Sequence, residues 1–119
     1  MHDEATVPSM GLYLLDNSHT PIPCDDVLTW AASMESVRIV KQERIGTAFV
    51  STVFLGIDHG FGRSPAFFET MIFEHPRFQG YQERHGTWDE ALAGHAAAVE
   101  TVRASLSAEA ADTTTEKDN

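Results

Sequence analysis

A chain of 119 residues, 42% apolar and 22% charged, can bury one modest core, which argues against a multidomain protein. Its formal net charge is −10 and its basic residues are scattered singly. That argues against direct binding of nucleic acid or an anionic membrane, because affinity for phosphates comes from clustered Lys and Arg.

No apolar leader opens the chain and no run is long enough to span a membrane. Cys24 is alone and cannot close an internal disulfide, so a reducing cytosol is the expected setting. The ends differ from the middle. Residues 1–9 (MHDEATVPS) and 107–119 (SAEAADTTTEKDN) are small and polar, with too little apolar surface to offset their ordering entropy. Both are expected to be disordered, leaving one domain over residues 10–106. The two ends carry half of the net charge. That charge serves solubility, or forms an acidic surface able to dock on a basic protein face.

Gly11 to Asp16 (GLYLLD) is a short apolar run before the turn signal Asn17-Ser18, and reads as a first strand. Pro21-Ile22-Pro23 is extended, since each proline fixes its own φ and disfavours the α region before it. Asp25 stands where an N-cap belongs, and Val27, Leu28, Trp30, Ala31 and Met34 follow at helical spacing. A helix is predicted over 25–36. Val37 to Glu43 is β-rich but charged, as suits an edge strand protected by Lys41 and Glu43. Thr47 to Leu55 is β-branched, aromatic and uncharged, and predicts a central strand. A glycine-rich loop, Gly56 to Pro65, leads to another strand over Ala66 to Phe73. Residues 74–86 read as irregular. Thr87 to Glu90 fits a capping box, and Trp88, Ala91, Leu92, His95, Val99, Val102 and Leu106 then share one stripe of a helix running to about Ser105. The expected class is α+β: an antiparallel sheet, in the order β-α-β-β-β-α, with two helices packed on one face.

Four residues are candidates for chemistry. Asp58 and His59 lie in the loop flanked by Gly56, Gly60 and Gly62, where an acid–imidazole pair can orient a general base or bind a metal. The same two residues are also ordinary turn formers. Glu69 interrupts an apolar strand. Alternation puts it with Phe67, Met71 and Phe73, either solvated on a partly covered face or buried as an acid of raised pKa. His95 lies on the apolar stripe of the last helix, where a hydrogen-bonded core histidine is the plain reading. A cluster of His59, His95 and Glu69, joined by His75 or His85, would suit Zn, Fe or Mn, although no HxH, HxxxH or HExxH spacing supports it. Cys24 precedes a helix start, whose dipole can activate a thiol. No GxSxG elbow, GxGxxG turn or P-loop is present, and no cofactor is expected.

The stretches STVFLGIDHGFGRSPAFFETMIF (Ser51 to Phe73) and YQERHGTWDEALAGHAAAVETV (Tyr81 to Val102) resemble a group of small proteins of actinobacterial genomes, prophages and actinobacteriophages. That group has no established activity. The resemblance implies a phage or prophage product working in a bacterial cytosol or built into a virion, and it assigns no catalytic residue. The leading expectation is a non-enzymatic accessory protein acting through protein contacts, in one version an acidic inhibitor of a host or defence protein. The rivals are a small metal- or ligand-binding enzyme using the Asp58-His59 loop, and a minor virion or assembly component.

Overall fold

The computed structural model describes residues 11–59 and 64–118. The expected disorder of residues 1–9 and the loop residues Gly60 to Arg63 lie outside them. Strands β1 (Leu12–Leu15) and β2 (Pro21–Cys24) form a hairpin. Helix α1 (Val27–Val37) follows. Strands β3 (Ile39–Ile45), β4 (Ala48–Phe54), β5 (Phe68–Phe73) and β6 (Gln82–His85) form an antiparallel sheet in that order, and helix α2 (Trp88–Asp118) closes the chain. The class is α+β.

The differences from the sequence reading have local causes. Pro21–Cys24 is extended as expected but pairs with β1. The hairpin turn is held by Asp16, whose Oδ1 accepts from Ser18 N at 2.8 Å and from Thr20 N at 2.9 Å. Asp26 caps α1 in place of Asp25. Its Oδ1 accepts from the amides of Leu28 and Thr29, and its Oδ2 from the Thr29 hydroxyl at 2.9 Å. The irregular stretch contains β6, which carries Gln, Glu, Arg and His and so lacks the apolar alternation that announces a strand. Helix α2 runs on through residues expected to be a disordered tail, because Ala and Glu are strong helix formers. Glu109 also ties that turn down, with its carboxylate 3.4 Å from His75 Nε2 and 3.5 Å from Arg77.

The capping box at the start of α2 is formed. Glu90 N donates to Thr87 Oγ1 at 3.1 Å, while the Glu90 carboxylate reaches back one residue further, to Gly86 N. The helix then crosses all four strands of the sheet and buries Ala91, His95, Ala98, Val99 and Val102. Leu92, assigned to that stripe by spacing, is 39% exposed. Helix α1 packs chiefly on β1 and is anchored to the end of β4. There Trp30 Nε1 donates to Gly56 O at 3.1 Å, and Gly56 (φ +74) leaves no room for a Cβ beneath Trp30 and Met34.

Alternation therefore gives the sheet two unlike faces. The face under α2 carries Ala48, Val50, Thr52 and Phe54 from β4 and Phe68, Thr70 and Ile72 from β5, all buried. Among the described residues no helix crosses the opposite face.

Candidate functional site

The covered face holds a row of polar side chains, with one contributed by each strand and one by the helix. Glu43 Oε1 of β3 lies 2.8 Å from His95 Nε2. His95 Nδ1 lies 2.7 Å from Thr52 Oγ1 of β4, which lies 2.7 Å from Thr70 Oγ1 of β5. Thr70 Oγ1 in turn lies 3.1 Å from His85 Nε2 of β6. Thr52 and Thr70 are 0% exposed and His95 is 1% exposed, so these three had to find their partners inside the protein, whereas Glu43 closes the row at the half-exposed edge of β3.

Hydrogen counting orients this row. An ionised Glu43 only accepts, so His95 Nε2 carries a hydrogen. With His95 neutral, Nδ1 must accept from the Thr52 hydroxyl. Thr52 then accepts from Thr70, and Thr70 accepts from His85 Nε2. All four bonds run the same way, from β6 to β3. Were His95 Nδ1 to donate instead, the three bonds from His95 to His85 would all reverse and His85 Nε2 would accept.

The row also divides the core. On one side lie Ala48, Val50, Ile72, Ala98, Val99 and Val102; on the other lie Phe54, Phe68 and Ala91. A polar layer of this kind fixes register, because a one-residue slip of β4 or β5 would send its threonine to the other face and orphan its partners. Glu43, His95 and Thr52 stand in the acid–imidazole–hydroxyl order of nucleophilic hydrolases. Here the hydroxyl has no surface, and a substrate could reach it only by lifting α2.

The candidate residues do not converge. Glu69 faces away from His95, on the uncovered side of the sheet, where its carboxylate accepts from Gln82 Nε2 and from Arg84 Nε at 3.1 Å. Its partners on β6 account for a buried acid that is neither solvated nor alone. Asp58 and His59 clamp their loop: Asp58 Oδ1 accepts from Ala66 N at 2.9 Å, and His59 N donates to Ala66 O at 2.9 Å. His75 caps a short 3-10 turn, accepting from Arg77 N. Cys24 is buried, with Sγ 3.4 Å from Asp26 O. The proposed His59, His95 and Glu69 metal cluster is thus not assembled, and no group of three metal-capable side chains exists among the described residues.

Sequence reasoning missed Thr52, Thr70 and the role of Glu43. The available signal was a threonine at an inward position in each of two neighbouring strands, opposite a histidine on the helix stripe.

The uncovered face is the second candidate. It presents Ile39, Gln42 and Arg44 from β3, Phe49, Ser51 and Val53 from β4, and Glu69, Met71 and Phe73 from β5, with Gln82 and Arg84 from β6. Ile39 is 60% exposed and Phe73 is 41% exposed. Gln42 bonds Ser51 Oγ at 2.9 Å, and Arg44 lies over the Phe49 ring. A groove of about 450 Å³ runs between the end of α1 and this face, lined by Met34, Glu35, Arg38, Ile39, Ser51 and Val53. A smaller recess of about 100 Å³ continues it past Arg38 to Glu69, Met71 and Phe73.

Compared with known protein families, with characterised sequences and with solved structures, the chain matches none. No helix among the described residues is long and apolar enough to cross a membrane.

Proposed function

We propose that this chain is a non-enzymatic protein-binding module whose docking surface is the uncovered face of the four-stranded sheet. The observation that supports this most is the contrast between the two faces. The acid–imidazole–hydroxyl row is sealed under α2, whereas the other face leaves Ile39 and Phe73 exposed beside a groove. An apolar patch rimmed by polar groups is the signature of an interaction surface. The resemblance to actinobacterial prophage proteins supplies the context of an accessory factor in an infected or lysogenic cell.

Phe73→Asp tests the reading, because that residue is 41% exposed at the end of β5 and a charge there should leave the fold intact. Tagged wild-type protein should retain a specific protein at physiological salt, either from bacterial lysate or the untagged chain itself. Phe73→Asp, shown to be folded by circular dichroism, should lose it. Equal retention by both, or retention of nothing by either, would count against the reading.

A further inference from the structure

We infer that the occupant of the uncovered sheet face is a second copy of this chain, related by a two-fold axis. The inference rests on the reading of that face as the docking surface, and charge carries it further.

The molecule as a whole has a formal net charge of −10, which opposes self-association. The uncovered face does not share that excess. Arg84 is matched by Glu69 at 3.1 Å, and Arg44 by Glu74 at 3.2 Å. The remaining arginine, Arg38, lines the groove together with Glu35. Three arginines are thus balanced in number by three carboxylates, so among the described residues this face is neutral and the repelling charge lies elsewhere.

Glu35 and Arg38 differ from the other two pairs. They line one groove, yet neither side chain has an ion-pair partner among the described residues. A two-fold interface brings a patch against itself, so that residue i of one copy meets residue j of the other and j meets i. One unmatched anion and one unmatched cation in the same groove satisfy that requirement twice, as Glu35 to Arg38 of the second copy and the reverse. The apolar residues between them, Ile39, Val53, Met71 and Phe73, then cover their own counterparts.

Area is consistent with this only if the whole face is used. Four strands about 4.8 Å apart and about six residues long present on the order of 400 Å² in projection. Side-chain relief and the flank of α1 raise this toward the roughly 800 Å² per partner of a standard interface. A heterologous partner confined to the recess would bury far less.

Sedimentation equilibrium of the full chain, from about 1 to about 100 μM at about 0.15 M salt, tests the inference. The wild type should be a dimer. Glu35→Arg and Arg38→Glu should each weaken it at least about tenfold, since either change faces like charges across the axis twice. Mixing the two single variants should restore association as a heterodimer, because both cross-axis contacts again pair opposite charges. Phe73→Asp should be a monomer.

A wild type that stays monomeric throughout overturns the inference. If that monomer still loses a captured protein on Phe73→Asp, the docking reading survives without it. A dimer indifferent to Phe73→Asp overturns both. A dimer lost on Phe73→Asp whose charge variants do not complement each other overturns the two-fold arrangement.

Discussion

Replacing Gly94 with alanine should destabilise this protein, although helix propensity alone says the reverse. In an exposed helix interior Gly→Ala gains about 1 kcal/mol. Gly94 lies where α2 passes over β6, and an added Cβ would fall within the van der Waals envelope of the His85 ring, 3.0 Å from Nδ1 and nearer to two other ring atoms. His85 cannot simply turn aside. It is buried, and its Nε2 is bonded to Thr70 Oγ1 at the end of the polar row. Overpacking costs about 1–3 kcal/mol, and losing the His85–Thr70 hydrogen bond costs about 0.5–1.5 kcal/mol more. Against the propensity gain, the net loss is about 2 kcal/mol, or roughly 10 °C in Tm for a domain of this size. Urea and thermal unfolding followed by far-ultraviolet circular dichroism would measure it. The sharper test is a double-mutant cycle. With the ring removed by His85→Ala, Gly94→Ala should change sign and stabilise by about 0.5–1 kcal/mol. A Gly94→Ala protein as stable as wild type, or a cycle with no coupling, would refute the close approach as the reason for this glycine.

Two further outcomes follow from the polar groups. Thr52→Val keeps the side-chain shape but leaves His95 Nδ1 and Thr70 Oγ1 without their shared partner, and should cost about 1–3 kcal/mol, more than Thr52→Ser, which keeps the hydroxyl. Long-range ¹H–¹⁵N spectra should show neutral His95 with its hydrogen on Nε2, and a hydrogen on Nδ1 of the neutral ring would invert the assigned bond direction. The Asp26 carboxyl is held below the usual carboxylate range, first by the Thr29 hydroxyl and then by the amides of Thr29 and Leu28. A lowered value in the folded state means a contribution present above the usual range and lost as pH falls through the lowered value. The stability difference between wild type and Asp26→Ala should therefore shrink on acidification. Paired urea titrations at neutral and acid pH check this, and a difference that grows in acid would contradict it.

Elements whose signals are local were legible in the amino-acid order. Capping box and apolar spacing placed the start and buried stripe of α2, since Thr87 and Glu90 satisfy amides within their own turn. The β-branched run of β4 and its pairing with β5 followed from composition and a connecting loop. Alternation correctly put Glu69 on the face of Met71 and Phe73. Local signals failed where a residue's role depends on a distant partner. Gln82–His85 is a strand because β5 offers an open edge, not because its own residues prefer one. Asp58 and His59 looked chemical beside glycines but clamp their loop onto Ala66. Glu43 read as an edge charge until α2 brought His95 against it, across residues far apart in the chain. Which face of the sheet is sealed was likewise a tertiary decision. Period-two alternation defines two faces, but only the path of α2, fitted over Gly94 and Thr52, selects the one that carries the buried row and leaves the other open.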